Sequence, residues 1–381
     1  MRTLSDTISR LAALRLVPGH MPENHGRLTE LTDFGSNPGA LRARTYIPGK
    51  FDDGAALVVV LHGCTQTAGG YDIGSGWSEV ADRHGFALLF PEQQRQNNPN
   101  LCFNWFSPED SRRGSGEALS IRQMIAAMAV RHRIDPTRIF VTGLSAGGAM
   151  TAVMLATYPE LFAGGAIIAG VPYGCARTIP AAFDLMRGHG VPPEAKLAAL
   201  VRGASDHAGP WPTLSIWHGS ADATVHPSNA GAIAAQWRAL HDVEADPSRI
   251  ERRDDYVRRT WSDAKGRDVI EEYSIAGMGH GTPLDTAGED GCGRSGAYML
   301  ETGISSTHRI CRFWSLTGDA VERAHEIETP PAKRALVPSI ASLQASSSPR
   351  SHEERATVRL TVATGVRKVI EDALRAAGLM R

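Results

Sequence analysis

The sequence predicts an α/β fold, a mostly parallel sheet with helices on both faces. Three observations carry this. Short apolar runs alternate with segments of helical periodicity. The runs are apolar at nearly every position rather than at every second one. One of them breaks at Gly-Leu-Ser-Ala-Gly directly before a helical stretch. Strands that are apolar throughout are buried on both faces, as in sheets whose crossover helices cover them.

The elements follow in order. LRARTYIP (41–48) alternates and reads as an antiparallel edge strand. LVVVL (57–61) is a buried strand ending at His62-Gly63. WSEVADRH (77–84) is a helix closed by Gly85, and FALLF (86–90) is a strand stopped by Pro91. Residues 117–132 carry Ile121, Met124, Ile125 and Met128 at helical spacing. RIFVT (138–142) is a strand and AGGAMTAVMLAT (146–157) a helix ending before Pro159. GAIIA (165–169) and LSIWH (214–218) are further strands, 229–241 is a helix, DVIEEYSI (268–275) the last strand, and 303–316 a closing helix. Residues 183–212 are rich in Gly and Pro, hold one helical pattern near 195–201, and read as a lid-like insertion.

Composition bounds the function. The chain has 381 residues, enough for a large core without metals or disulfides. Its 40 basic and 41 acidic residues leave a net charge of -1, which is no footprint for nucleic acid or an anionic membrane. No apolar stretch is long enough for a transmembrane segment. The first residues lack the apolar run of a signal peptide, so a cytoplasmic location is expected, with an extracellular one left open. Five cysteines (Cys64, Cys102, Cys175, Cys292, Cys311) show no zinc spacing, and neither a metal nor another cofactor is expected. Their odd number without an export signal favours free thiols. The best disulfide candidate is Cys64 with Cys102, both in loops near the expected site.

Three domains are expected. An N-terminal amphipathic segment (1–27) precedes a large α/β domain (28–318, with the insertion at 183–212). A polar Pro/Ser-rich linker and a C-terminal amphipathic helix follow (319–381), a flexible tail. The terminal helices are candidates for docking to a partner or a hydrophobic granule.

Gly143-Leu144-Ser145-Ala146-Gly147 matches G-x-S-x-G, the nucleophile elbow of an α/β-hydrolase fold. The strand before it and the helix after it supply the context that the motif needs. Such a turn strains the serine backbone and leaves no room for side chains at the flanking positions. A serine hydroxyl needs a base to take its proton. The chain order for this fold is serine, acid, histidine. Of fourteen histidines, His280 lies in the glycine-flanked loop AGMGHGTPL just after the last strand. Asp222, in the turn after LSIWH, is the acid expected to hold the imidazole. Asp206 and Asp242 are weaker candidates by position. Two backbone N–H groups should face the developing oxyanion. Ala146 supplies one, and Cys64, in the loop after LVVVL, the other.

The segments VVVLHGCTQTAGGYDIGSGWSEVADRHGFALLFPEQ, NPNLCFNWF, VTGLSAGGAMTAVMLATYPELFAGGAIIAGVPYGCA and SIWHGSADATVHPSNA resemble the polyhydroxybutyrate depolymerase-like esterases of the α/β-hydrolase superfamily. That family includes feruloyl and acetyl-xylan esterases. The resemblance covers about residues 58–316. It implies a carboxylic ester substrate, no cofactor, and Ser145, Asp222 and His280 as the triad; polymer, its oligomers and small soluble esters all stay open as that substrate. It also draws attention to Trp105 and Trp217 as substrate-binding residues. The leading expectation is a serine esterase of the polyhydroxybutyrate or 3-hydroxyalkanoate-oligomer depolymerase type. Feruloyl or acetyl-xylan esterase, serine peptidase, and non-catalytic binding protein of the same fold are the alternatives.

Overall fold

The computed structural model describes residues 26–317. The expected N-terminal segment (apart from its last two residues), the linker, the C-terminal helix and both candidate docking helices lie outside them.

Ten strands form one sheet: β1 (Thr29–Glu30), β2 (Arg42–Tyr46), β3 (Leu57–Leu61), β4 (Ala87–Glu92), β5 (Ile139–Leu144), β6 (Gly164–Ile168), β7 (Thr213–Gly219), β8 (Arg249–Arg252), β9 (Tyr256–Ser262) and β10 (Asp268–Ile275). Their spatial order is β1-β2-β4-β3-β5-β6-β7-β10-β9-β8. The six strands from β4 to β10 run parallel, and antiparallel pairs flank them on either side. β2 is antiparallel as expected, but β1 pairs outside it, so β2 is not the edge. Pro91 does not stop β4. It lies past the register with β3, opposite Ala43 of β2, where its missing N–H breaks no parallel ladder. A short pair, β11 (Thr282–Leu284) with β12 (Met299–Glu301), stands apart.

The helices are α1 (Ala68–Ser75), α2 (Trp77–His84), α3 (Gly116–Arg131), α4 (Ala146–Thr157), α5 (Ile179–Met186), α6 (Glu194–Arg202), α7 (Ser228–His241) and α8 (Ser306–Phe313). Strand alternation divides the core in two. Leu57, Val59, Val141 and Ile216 pack with α3, α4, α6 and α7, whereas Val58, Val60, Phe140 and Trp217 pack with α1, α2 and α8. Every residue of α4 is buried, which fits its lack of a polar face. The insertion at 183–212 divides. Its helix α6 buries Leu197, Ala198 and Val201 in the core beside α7, and so is not a cover. α5 instead joins a separate apolar cluster of Ala149, Val171, Ala182, Leu185 and Val225.

The chain order reverses between β3 and β5, since β4 lies on one side of β3 and β5 on the other. Open parallel sheets bind ligands at the carboxyl ends of strands at such a switch point. The loops after β3 and β5 carry Cys64 and Ser145.

Candidate active site

Ser145 stands between β5 and α4 with φ 57° and ψ -115°, a conformation unfavourable for a residue with a Cβ. Two anchors hold it there. Its N–H donates to the Ile168 carbonyl at 2.9 Å, and its carbonyl accepts from the Ala149 N–H at 2.8 Å. Glycine is required behind it. A Cβ on Gly147 would lie 2.2 Å from the Leu61 carbonyl oxygen, so only glycine lets α4 approach β3 this closely. Ala146 is the first residue of α4, where backbone N–H groups have no intrahelical acceptor.

Asp222 follows β7 and His280 follows β10, neighbouring parallel strands. Their loops are zipped together: Ser220 N–H donates to Ile275 O at 2.9 Å, Ala221 N–H to Met278 O at 3.0 Å, and Gly277 N–H to Ser220 Oγ at 2.9 Å. His280 Nδ1 lies 2.7 Å from Asp222 Oδ2. The other carboxylate oxygen accepts the N–H groups of Thr224 and Val225, each at 2.9 Å. His218 Nε2 lies 3.4 Å from Oδ2 and 2.9 Å from the Val225 carbonyl. Burial alone would raise the Asp222 carboxyl. The hydrogen bonds from His218 and His280, the charge of His280 and the Val225 N–H outweigh it and hold the carboxyl well below its usual range. The ionised carboxylate therefore fixes the proton of His280 on Nδ1 and leaves Nε2 as the basic atom. No hydrogen bond joins Ser145 Oγ to His280 among the described residues. Such bonds commonly tighten only when substrate is bound.

The loop after β3 is set by His62. Its Nε2 accepts the Gln93 N–H at 3.1 Å, so its proton sits on Nδ1, which donates to the Gly63 carbonyl at 2.8 Å. Burial lowers its pKa and keeps it neutral. Gln66 Oε1 accepts the Gly63 N–H at 2.8 Å, and Thr65 N–H donates to the Asn100 carbonyl at 2.7 Å. The Cys64 N–H has no acceptor among the described residues. Cys64 is disulfide-bonded to Cys102, which corrects the expectation of free thiols for that pair. Cys175, Cys292 and Cys311 are free.

Behind Cys102 lies a buried carboxyl that sequence reasoning missed. Glu117 accepts from Gln93 Nε2 at 2.6 Å, from Asn104 Nδ2 at 2.9 Å and from the Asn104 N–H at 2.9 Å. Burial, reinforced by Asp110 and only partly offset by these bonds, pushes it up to about 8. At a helix start a glutamate looks like an ordinary dipole partner, so no sequence signal marked it.

Trp105 is half-buried, edge-on to Phe106 at 5.5 Å, and borders the apolar cluster that contains Ala149 and Val225. Trp217 is not at the site. It is fully buried, stacks on Tyr273 at 3.8 Å and donates from Nε1 to Ser215 Oγ at 2.7 Å. One residue decides this. Ile216 and Trp217 face opposite sides of the sheet, and the side of Trp217 is the core under α2 and α8.

The family model described as Esterase PHB depolymerase matches residues 42–255. Poly(3-hydroxyalkanoate) depolymerase C of Paucimonas lemoignei is 45% identical over 293 residues, which cover 76% of this chain and 70% of that protein. The chain belongs to the Esterase PHB depolymerase family. It is a carboxylic ester hydrolase of the serine type. The family match contains Ser145 and Asp222, and His280 lies past its end. Acetylxylan esterase A of Aspergillus oryzae is 31% identical over 263 residues, 67% of this chain and 84% of that protein. Among solved structures, the acetyl xylan esterase from Aspergillus awamori superposes with a TM-score of 0.65 at 24% identity, covering 77% of this chain and all of that one. At that identity the likeness speaks for the α/β-hydrolase fold.

Proposed function

We propose that this esterase hydrolyses the ester linkages of poly(3-hydroxyalkanoate) chains or their oligomers, with Ser145 as nucleophile. The observation that carries the mechanism is the His280–Asp222 pair, held at 2.7 Å on the strand edge that presents the strained serine. The 45% identity to a poly(3-hydroxyalkanoate) depolymerase supports the substrate class. Ser145 Oγ adds to the ester carbonyl while its proton passes to His280 Nε2. Asp222 stabilises the resulting imidazolium. The N–H groups of Ala146 and Cys64 receive the oxyanion, each worth roughly 100- to 1000-fold in turnover. The intermediate collapses, His280 protonates the departing alcohol, and the acyl group stays on Ser145. Water, deprotonated by His280, then cleaves the acyl-enzyme.

The apolar cluster of Ala149, Val171 and Val225, bordered by Trp105, supports an acyl group of short alkyl character on that side. The 31% identity to an acetylxylan esterase over most of its length favours acetylated xylan as the second reading. A panel of 3-hydroxybutyrate oligomers, amorphous polymer, acetylated xylan, methyl ferulate and a peptidyl amide separates them. The expected result is turnover of oligomers and polymer, abolished in Ser145→Ala. Turnover of acetylated xylan alone would replace the depolymerase reading, and an active Ser145→Ala would remove the mechanism. The Cys64–Cys102 disulfide favours folding in an oxidising compartment over the cytoplasmic expectation.

A further inference from the structure

A groove of about 360 Å³ lies beside the site, between α1, the residues after Cys64 and the turn at 294–299. That volume suits a small ligand. Thr65 and Gln66 line one wall, directly after the expected oxyanion donor. Ala297 and Met299 line the opposite wall, and Tyr298 between them turns its ring edge-on to His280 at 6.1 Å. The groove shares no residue with the apolar cluster near Trp105.

The turn is built rather than loose. Gly296 and Met299 exchange backbone hydrogen bonds at 3.0 and 3.1 Å, with Ala297 and Tyr298 at the tip. Tyr298 has φ 62°, a costly backbone conformation for a residue with a Cβ, and is 42% exposed. Its carbonyl accepts the Thr282 N–H at 2.8 Å, two residues after His280. Thr282 Oγ1 in turn lies 3.2 Å from the hydroxyl of Tyr71 in α1. Arg294 N–H donates to the Gly74 carbonyl at 2.9 Å, which fastens the turn to α1. A Cβ on Gly74 would lie 2.7 Å from Met299 Cγ, so a side chain there would push Met299 aside. Among the described residues lining the groove, Arg294 alone carries charge, and it is exposed.

His280 returns its proton to the leaving oxygen, so the alcohol half of the ester departs on the side where Tyr298 stands. In a 3-hydroxyacyl chain the alcohol half runs toward the carboxyl end of the molecule. We propose that this groove is a leaving-segment site in which Tyr298 flanks the departing hydroxyacid and Arg294 binds its terminal carboxylate. The inference rests on the depolymerase reading above. A guanidinium fork matches a carboxylate in two parallel hydrogen bonds. The enzyme therefore prefers linkages next to a free carboxyl end and releases short hydroxyacids from it. The bond balance is that of ordinary hydrolysis: water supplies OH to the acyl carbonyl and H to the departing hydroxyl.

The test compares a 3-hydroxybutyrate trimer with its methyl ester, in wild type, Arg294→Lys and Arg294→Met. Wild type should cleave the free acid with the higher kcat/KM. Arg294→Met should lose roughly tenfold or more on the free acid and nothing on the methyl ester. Arg294→Lys should fall between. p-Nitrophenyl butyrate turnover should stay unchanged in both variants, which shows that they fold and that Ser145 still reacts. Trimer cleavage with no preference for the free acid, or a preference that survives Arg294→Met, overturns the inference while leaving the depolymerase reading standing. A wild type that ignores both trimers yet cleaves another ester overturns that reading itself.

Discussion

In the proposed triad, Asp222 serves chemistry and stability together. Its two oxygens divide the work: Oδ1 ties the Thr224–Val225 turn and Oδ2 holds His280. Asp222→Asn keeps most of the shape but favours the wrong imidazole tautomer. It should fold and lose about 10³- to 10⁴-fold in kcat, measured on a soluble ester at neutral pH. The depressed carboxyl pKa has a further consequence. Its folded value lies below the unfolded one, so its contribution is present above pH ~4 and is lost as pH falls through the folded value. Acid unfolding of wild type should therefore show a pH dependence below 4 that is weaker in Asp222→Asn. Equal acid limbs would mean that the ion pair adds nothing to stability. Glu117 behaves oppositely. Burial raises it to about 8, so the folded state holds the proton more tightly than the unfolded chain. Stability from this group is full below pH ~4.5 and declines as pH rises through 8. Urea melts at pH 6 and pH 9 should show a loss of a few kcal/mol in wild type that is smaller in Glu117→Gln.

The decisive unit at the scale of elements is a pair of loops. The loop after β3 carries the Cys64 N–H, and the loop after β4 carries Cys102 and Trp105. The disulfide joins them directly, and the chain His62–Gln93–Glu117–Asn104 joins them a second time through hydrogen bonds. Cys102→Ser should cost about 4 kcal/mol, given the 38-residue separation and the entropy of the open chain. Because the hydrogen-bonded chain survives, the variant should remain folded at 25 °C. Its kcat should fall, by at most the ~100- to 1000-fold of one lost oxyanion donor. An unchanged kcat would show that His62 and Gln66 position Cys64 without the disulfide. The zipped turns after β7 and β10 are the matching unit on the other side of Ser145.

At the scale of the molecule, the site depends on a sheet whose two faces are both packed. Trp217 and Tyr273 stack under α2 and α8, while Ser215 links that stack to Glu271 and Arg258 by hydrogen bonds of 2.7 Å. Trp217→Ala should destabilise the fold by ~3–5 kcal/mol. At temperatures where it stays folded, KM for ester substrates should be unchanged, since the side chain never meets the site. A raised KM in a variant that is still fully folded would return Trp217 to the binding surface. The sheet also explains how residues from distant parts of the chain converge. Cys64, Ser145, Asp222 and His280 each follow the carboxyl end of a different parallel strand, and parallel order brings those ends to one edge.

The sequence by itself determined the alternation of strands and helices, the elbow at Ser145, and the order serine, acid, histidine. Each is local: a run of apolar residues, a glycine that admits no Cβ, a turn after a strand. The tertiary structure alone decided what depends on facing and register. It put Trp217 in the core, added the exposed strands β1 and β8 and the part-buried β9 between β8 and β10, and bonded Cys64 to Cys102. It also set His218 beside Asp222, buried Glu117, and brought Tyr298 against His280. The physical reason is that one strand residue more or less reverses the side a side chain takes. Contacts between loops far apart in the chain likewise arise only when the sheet has assembled.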